Sequence, residues 1–270
     1  MTWFVNYQIS STLPVTDRGL AYGDGVFETI HAYDGKLQSL DTHLTRLHRG
    51  LKRLAMPLNQ LQSDNLFRFL DESITQHLPT ECVVKVIVTR GEGGRGYMAP
   101  DNVHHNIMIG ILPAPNYQQQ QIDGVKLDLS PVQVNSNPLL AGIKHLNRLE
   151  NVIAKQHLSN DAFEALMLDV QGNIIECIQS NIFWFKNGQL CTPQLNQAGV
   201  CGTYRQKVIE QQTRYPLLIA KFSLADIQQA DEIFITNSLM GIVPVTIFGD
   251  RHFAIGQRTR TLQSLMQFKD

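Results

Sequence analysis

The sequence predicts an α+β protein built from two domains. Strand and helix patterns alternate through the first half of the chain, whereas the second half contains successive strand patterns with a few helices. Between the halves lies PAPNYQQQQ (113–121), two prolines followed by a glutamine run, which is typical of a linker. We therefore predict an N-terminal domain over 1–113, a linker over 114–121 and a C-terminal domain over 122–270.

The composition is that of a globular protein with a substantial apolar core. Hydrophobic residues make up 43% of the 270 residues, charged residues 17%, and the formal net charge is −1. This balance gives no electrostatic reason to expect nucleic acid or an anionic membrane as a partner. The first residues do not resemble a signal peptide, and no apolar run approaches the ~18 residues of a membrane helix. The four cysteines lack metal-ligand spacing, so we expect no metal and, by default, a cytoplasmic protein with reduced thiols.

In the first half, apolar patterns are bounded by turn signals. Asp24-Gly25 and Asp34-Gly35 enclose VFETIHAY, which predicts a strand between two turns. Leucines at helical spacing follow Asp41, a predicted N-cap, and Pro57 ends that helix. The other predicted elements are a strand over 3–9, a helix over about 61–78, and the strands CVVKVIVTR (82–90) and NIMIGILPA (106–114).

A glycine-rich loop, RGEGGRGYMAPDN (90–102), joins those two strands. Residues 91–96 match GxGxxG, but the loop runs into a strand and so lacks the helix N-terminus that holds a pyrophosphate. We therefore exclude a dinucleotide site and, because no GK[ST] follows, a P-loop. The loop is predicted to place Arg90 and Arg95 near an anionic ligand, with an ordinary surface loop as the alternative.

The second half predicts strands in succession and several helices. The strand patterns are VKLDLSPVQV (125–134, a strand pair), EALMLD (164–169), NIIECIQSNIFWF (173–185), QLCTP (189–193), DEIFITNS (231–238) and GIVPVTIFGD (241–250). LNRLENVIAKQHL (146–158) predicts a helix whose apolar face carries Leu146, Leu149, Val152, Ile153 and Leu158. Further helices are predicted at about Thr203, directly after Gly202, and after a capping box opened by Ser223.

Lys144 and Glu176 are the residues on which a chemical prediction can be built. Lys144 stands just ahead of the amphipathic helix, and Glu176 is an acid within an otherwise apolar strand. On elements that meet in one pocket, the lysine would hold an aldehyde cofactor as a Schiff base, and the acid would keep a pyridine nitrogen protonated. The ordinary alternative is a solvated lysine and an outward-pointing glutamate.

Three elements are candidates for binding a phosphate. They are the helix that begins at Thr203, whose N-terminus favours an anion, the pair Asn237-Ser238 at the end of a strand, and Arg46 on the leucine-rich helix. Each also has an ordinary explanation, as a helix cap, a turn and a solvated arginine.

These residues lie in a pattern that resembles a known family. KHLNRLENVIAKQ, EALMLDVQGNIIECIQSNIFW and GVCGTYRQ resemble the fold type IV pyridoxal-phosphate enzymes, and the similarity extends from DRGLAYGDGVFET to ITNSLMGIVPV. The resemblance implies a smaller N-terminal α/β domain, a larger strand-rich pseudo-barrel C-terminal domain, pyridoxal 5'-phosphate as cofactor, and a homodimer. Within the group, RGEGGRGY together with AGIKHLNRLE is most similar to the lyases that split aminodeoxychorismate.

The resemblance also implies roles for individual residues. Lys144 would form the Schiff base and shuttle a proton, and Glu176 would pair with the pyridine nitrogen. The phosphate would be bound by Arg46, Ser238 with Asn237, and the backbone at Thr203 and Tyr204, where only the N–H of Tyr204 replaces the threonine of the aminotransferases. Thr29 is the predicted proton donor to the leaving enol, with Lys144 as competitor, and the substrate-binding residues are predicted to be Arg95, Tyr97 and Arg148.

The activity implied is a lyase reaction on a small molecule, yielding 4-aminobenzoate and pyruvate from 4-amino-4-deoxychorismate in folate biosynthesis. The alternatives are a D-amino acid or branched-chain aminotransferase with the same cofactor site, and a non-catalytic carrier of the cofactor. The arginines of the glycine-rich loop favour the lyase because its substrate is a dicarboxylate. Arg148, where branched-chain aminotransferases carry a tyrosine, argues against that activity.

Overall fold

The structure, a computed structural model, describes residues 1–266 and contains two compact units. Met1–Pro115 and Ile143–Asn147 form the first unit; Asn116–Gly142 and the chain from Arg148 onward form the second. Lys144 thus belongs to the first unit by its contacts. The predicted domain boundaries at 113 and 122 stay a prediction.

The first unit contains a six-stranded antiparallel sheet in the order β2-β1-β6-β5-β3-β4. Its strands are β1 (Thr2–Val5), β2 (Gln8–Ile9), β3 (Gly25–Tyr33), β4 (Lys36–Leu37), β5 (Glu81–Thr89) and β6 (Asn106–Pro113). Its α-helices are α1 (Arg18–Tyr22), α2 (Leu40–Arg53) and α3 (Gln60–Arg68).

The core of this unit forms where α2 covers one face of β3. Alternate residues of a strand share a face, and Val26 and Ile30 of β3 are buried in the same cluster as Leu47 and Leu51 of α2. Burying each leucine stabilises the fold by roughly 1.5–3 kcal/mol. Glu28 lies between Val26 and Ile30 on the same face of the strand, so its carboxylate is directed at the helix.

Two helix predictions for this unit are corrected. Asp41 is not the N-cap of α2: Ser39, at a φ of 54°, precedes the first helical residue, and Asp41 lies in the first turn, where its charge suits the helix dipole. The helix predicted over 61–78 is interrupted, because a π-helical turn (Phe69–Ser73) and a 3₁₀ turn (Thr75–His77) follow α3.

The second unit contains a nine-stranded mixed sheet in the order β12-β11-β10-β13-β14-β7-β8-β9, with β15 paired to β14. Its strands are β7 (Val125–Leu129), β8 (Glu164–Leu168), β9 (Ile174–Cys177), β10 (Asn181–Lys186), β11 (Gln189–Pro193), β12 (Leu217–Ala220), β13 (Glu232–Asn237), β14 (Gly241–Phe248) and β15 (Arg251–His252). Its helices are α4 (Gln118–Asp123), α5 (Leu149–Gln156), α6 (Thr203–Gln211), α7 (Leu224–Ile227) and α8 (Gln257–Met266). The mixture of helices and strands confirms the predicted α+β class.

Several predictions for this unit can be compared directly with its elements. The capping box is present at α7, where Ser223 and Asp226 exchange both bonds. The glutamine run predicted as a linker forms α4. The strand pair predicted over 125–134 is a single strand, because the chain turns at Ser130, whose Oγ accepts a hydrogen bond from the Val132 N–H.

Three of the five residues predicted on the apolar face of α5 lie outside the core, whereas Leu158 packs against it. Leu149, Val152 and Ile153 are 74%, 49% and 42% exposed in the single chain. The helix instead buries Ala154, and Asn151 Nδ2 donates to the Ile178 carbonyl at 2.7 Å. Within residues 1–266, no helix has the length and apolar character needed to cross a membrane.

Candidate active site

Lys144 is held against the free edge of β3. Phe27 N–H donates to the Lys144 carbonyl at 2.9 Å, and Leu146 N–H donates to the Gly25 carbonyl at 3.0 Å. The segment can pair here because β4 occupies this edge of β3 only near Tyr33, at the other end of the strand. The Lys144 Nζ lies 4.4 Å from the centroid of the Phe27 ring. The amine is thus positioned over an apolar surface by main-chain hydrogen bonds.

The face of β3 that carries Phe27 also carries Thr29, because the two residues are two positions apart. Lys85 of β5 pairs directly with Thr29, and its Nζ lies 5.5 Å from the same Phe27 ring. Two ammonium groups therefore contact one aromatic ring, an arrangement that suits an anionic ligand. Sequence reasoning did not identify Lys85 as a candidate site residue, although it is the single charged residue in the apolar run CVVKVIVT.

On the opposite face of β3, Glu28 is 1% exposed and binds two side chains of α2. Its carboxylate accepts from Arg46 Nε at 2.7 Å and contacts His43 Nδ1 at 2.6 Å. Burial alone would raise the pKa of Glu28, but the charge of Arg46 and the hydrogen bonds from Arg46 and His43 lower it to about 2. Arg46, a predicted phosphate ligand, is thus oriented by a buried carboxylate that sequence reasoning did not identify.

The glycine-rich loop leads from β5 into β6, which confirms that its GxGxxG match does not open a helix. Arg95 is exposed, and its carbonyl accepts from the Met98 N–H at 3.2 Å to close a turn. Tyr97 is 91% exposed, and its ring lies 5.5 Å from that of Tyr22. Two predicted substrate-binding side chains therefore stand at the accessible tip of the loop.

In the second unit, Glu176 is buried on β9. Its Oε2 accepts a hydrogen bond from the Val200 N–H at 2.8 Å. Gly199 is required beside it, because its φ is +78° and an added Cβ would lie 3.3 Å from the Glu176 carboxyl carbon. A buried carboxylate fixed by a main-chain donor is suited to hold a proton-bearing nitrogen.

Helix α6 begins at Thr203, where the sequence placed it, and its N-cap is Gly202 without a capping side chain. Asn181 fixes the approach to the helix: its Oδ1 accepts from the Gly202 N–H at 3.1 Å and its Nδ2 donates to the Val200 carbonyl at 2.9 Å. The Tyr204 hydroxyl donates to the Met266 carbonyl at 2.7 Å in the core. The side chain of Tyr204 is therefore directed into the core, and its predicted backbone contact with a phosphate stays a prediction.

The turn after β13 is built by the side chain of Asn237. Its Oδ1 accepts from the N–H groups of Leu239 and Met240, both at 2.9 Å, and its Nδ2 donates to the Gln179 carbonyl at 3.3 Å. Asn237 thus shapes the turn, which presents Ser238. Arg148, the third predicted substrate ligand, is half-buried at the N-cap of α5.

These residues fit pyridoxal phosphate when each unit is taken by itself. The first unit offers the Lys144 amine, with which an aldehyde can form a Schiff base, and this amine lies over the Phe27 ring. The second unit offers the buried Glu176 carboxylate, which can pair with a pyridine nitrogen. A helix N-terminus with a glycine at its cap is a typical phosphate site. Among the described residues, no cluster of three or more His, Cys, Asp or Glu side chains could hold a metal ion.

The fold and these residues define a class of enzymes that act on amino groups, and comparison with known proteins identifies it. Residues 25–248 match the family described as amino-transferase class IV. The chain belongs to this family.

One relative and two solved structures are compared with this chain. The chain is 36% identical to an aminodeoxychorismate lyase of Vibrio harveyi, over 97% of this chain and 98% of the relative. The crystal structure of 4-amino-4-deoxychorismate lyase from Pseudomonas aeruginosa superposes with a TM-score of 0.92 at 38% identity, covering 97% of both chains. The branched-chain amino acid aminotransferase of Escherichia coli, at 22% identity, shares the fold with a TM-score of 0.86, over 97% of this chain and 92% of that one.

Proposed function

We propose that this protein is an aminodeoxychorismate lyase, which converts 4-amino-4-deoxychorismate to 4-aminobenzoate and pyruvate, a step of folate biosynthesis. The observation that carries the proposal is similarity along the whole chain to two lyases, at 36% and 38% identity. The geometry supports it, because an amine, a buried carboxylate and a glycine-capped helix are what pyridoxal phosphate requires.

The cofactor would be held by residues of known local geometry. The Lys144 amine would bind its aldehyde, and the Glu176 carboxylate would accept a hydrogen bond from its ring N–H, which keeps the ring nitrogen protonated. The phosphate would be bound by the backbone at the start of α6 and by the Ser238 hydroxyl. Arg46 would add a positive charge whose orientation is set by Glu28. When bound, pyridoxal phosphate supplies an electron sink for the carbon next to the substrate amine.

The chain's own groups would move two protons. The Lys144 amine would remove the proton from the ring carbon that carries the substrate amine. The ether bond to the enolpyruvyl group then breaks, its oxygen keeps the bonding electrons, and the ring becomes aromatic. The Thr29 hydroxyl, on the same face of β3 as Phe27, would protonate the departing enol carbon to give pyruvate, with Lys144 as the competing donor.

Cationic side chains would recognise the two carboxylates of the substrate. Arg95 can engage a carboxylate through two parallel hydrogen bonds, and Tyr97 and Arg148 would assist it. We add Lys85 to these residues, because its ammonium group and that of Lys144 both lie beside the Phe27 ring.

A second candidate function is that of an aminotransferase. The chain is 30% identical to a D-alanine aminotransferase of Listeria innocua over 92% of its length and 86% of the relative. This activity would transfer the amino group of an amino acid to a second keto acid. Incubation with D-alanine and 2-oxoglutarate, followed by measurement of glutamate, tests it directly.

The experiment that tests the lyase combines spectroscopy with product analysis. We expect purified protein loaded with pyridoxal phosphate to show a visible absorption band that borohydride bleaches. Lys144→Ala should lose that band, whereas Lys155→Ala, at an exposed lysine of α5, should keep it. Wild-type protein should release pyruvate from aminodeoxychorismate. The absence of both band and pyruvate would contradict the proposal.

We also propose that the enzyme is a cytoplasmic homodimer. The exposed Leu149, Val152 and Ile153 of α5 support a self-association surface, because apolar side chains at helical spacing are normally covered. All four cysteines are present as thiols, which agrees with a reducing compartment. Sedimentation of wild type, of Val152→Glu and of a control variant, Gln206→Glu at an exposed residue of α6, tests the assembly. A monomeric wild type would contradict it.

A further inference from the structure

Helix α1 is fixed to the strands on both sides of the glycine-rich loop. Asp17, fully buried, caps the helix by accepting from the Gly19 N–H at 2.8 Å. The same carboxylate accepts from Thr89 Oγ1 at the end of β5, at 2.7 Å, and from Asn106 Nδ2 at the start of β6, at 2.8 Å. The first residue of α1, Arg18, is therefore placed at the base of the loop.

The Arg18 guanidinium gathers the carbonyl groups of the loop. Arg18 is 5% exposed, and its two terminal nitrogens donate to four main-chain carbonyls of the loop. The acceptors are Gly93 at 3.2 Å, Gly96 at 3.0 Å, Tyr97 at 3.3 Å and Met98 at 3.3 Å. The carbonyls can converge because Gly93, Gly94 and Gly96 have φ values of 107°, 76° and 58°, which other residues rarely adopt.

The aromatic contacts extend the same arrangement to the loop tip. The Arg18 guanidinium carbon lies 5.0 Å from the centroid of the Tyr22 ring, and Tyr22 in turn contacts Tyr97. One short helix thus supports both the backbone of the loop and a predicted substrate-binding side chain.

Arg18, Arg90, Asp17 and Asp24 form a cluster whose charges cancel, so the cluster does not create a positive potential at the loop. Asp24 accepts from Arg18 Nε at 3.0 Å and from Arg90 Nε at 2.7 Å. Burial would raise the pKa of Asp24, but the hydrogen bonds and charges of the two arginines lower it. With Asp17, the cluster contains two carboxylates and two guanidinium groups. Its remaining effect is to fix the shape of the loop.

We infer that Arg18 is a positioning residue that holds the glycine-rich loop in the conformation in which Arg95 and Tyr97 bind the substrate carboxylates. This inference rests on the proposed function. The apparent affinity for a substrate falls when only a fraction of the molecules has the loop in the binding conformation. A loop that is ordered before binding avoids this loss. Loss of the guanidinium should therefore raise KM while leaving the chemical step nearly unchanged.

The test compares Arg18→Lys with wild type and with Arg68→Lys, a matched change at an exposed arginine of α3. Lysine keeps the charge beside Asp24 but cannot reach four carbonyls with one planar fork. We expect KM for aminodeoxychorismate to rise on the order of tenfold, a factor typical of losing one charge-assisted hydrogen bond. The kcat and the visible cofactor band should change by less than about twofold.

A second readout is independent of activity. Trypsin should cleave after Arg95 faster in Arg18→Lys than in wild type or Arg68→Lys, measured as the fragment 1–95 by mass spectrometry of the apoprotein. Tyr22→Ala, at a residue 42% exposed, should give a smaller rise in both KM and cleavage rate if Arg18→Lys does not fold.

The outcomes separate this inference from the proposed function. Unchanged KM and cleavage rate, or a fall in kcat at constant KM, would overturn the positioning role. Faster cleavage in a protein whose wild type releases no pyruvate would support the ordering of the loop by Arg18, while the proposed lyase activity alone would fail.

Discussion

Replacing Glu28 by glutamine removes the buried carboxylate that contacts both His43 and Arg46. The Arg46 guanidinium, 7% exposed, then loses the carboxylate that receives its Nε and one terminal nitrogen. Breaking a buried ion pair on one side leaves an uncompensated charge, which costs about 3–5 kcal/mol. Glu28→Gln should therefore be strongly destabilising despite its near-identical shape.

The pKa of Glu28 gives a second, independent magnitude. A fall from 4.5 to about 2 corresponds to roughly 3 kcal/mol of stability, at 1.36 kcal/mol per unit. Because the pKa is lower in the folded state, this stability is present above pH 4.5 and is lost as the pH falls to about 2. The difference between wild type and Glu28→Gln should thus be largest at neutral pH and shrink steadily below pH 4.5.

Thermal unfolding followed by circular dichroism measures both effects. At this chain length, 3 kcal/mol lowers Tm by roughly 6–12 °C. Glu81→Gln is the matched control, because Glu81 binds His31 with a side chain that is 53% exposed, and it should lower Tm by no more than about 2 °C. Adding Arg46→Met to Glu28→Gln should recover part of the loss. A Tm of Glu28→Gln equal to that of the control at pH 7 would contradict a stabilising role for this buried ion pair.

Three further outcomes test the second unit. Glu164 is 1% exposed, and burial raises its pKa to about 8, so its ionisation destabilises the fold increasingly between pH 4.5 and 8. Glu164→Gln should therefore gain a few kcal/mol of stability relative to wild type between pH 5 and pH 8, seen as a higher Tm at pH 8, and no pH-dependent gain would contradict this. Gly202→Ala places a Cβ 2.1 Å from Asn181 Oδ1 and should weaken binding of pyridoxal phosphate by at least about tenfold in a fluorescence titration. Gln206→Ala, on the exposed side of the same helix, is its control, and equal affinities would refute the assignment. Glu176→Gln should keep the visible band but reduce pyruvate release by about 100-fold, the scale of a lost proton-holding group, and unchanged turnover would contradict its role.

Local signals in the sequence predicted the parts of the site that depend on neighbouring residues. Gly202 followed by a helical pattern located the start of α6, and the two Asp-Gly turns located β3. Lys144 and Glu176 were singled out because a charge interrupts or borders an apolar pattern. Such signals depend on a few adjacent residues and therefore survive without knowledge of the fold.

Contacts between distant residues could not be predicted in the same way. Arg18 and the loop carbonyl of Gly96 are 78 residues apart in the sequence, with several strands and helices between them. Nothing in DRG indicates that the arginine is buried. The strand pattern VFETIHAY does not show which of its faces a helix covers, so the burial of Glu28 beneath α2 could not be predicted. The prediction that the apolar face of α5 lies in the core was wrong for most of its residues. Periodicity shows that a helix has an apolar side, but it does not show which partner covers that side.

The segment Ile143–Asn147 has a consequence for how such a protein can be divided. It pairs with β3 from a point in the sequence well beyond Pro115, so every contiguous stretch of the gene that encodes the complete first unit also encodes residues 116–142 of the second. A fragment ending at Pro115 would contain the sheet without the lysine that lies on it. Recombination with a breakpoint between Pro115 and Ile143 would separate the Lys144 amine from the Phe27 ring on which it lies. The amine and its support are therefore inherited together only when residues 116–142 are inherited with them.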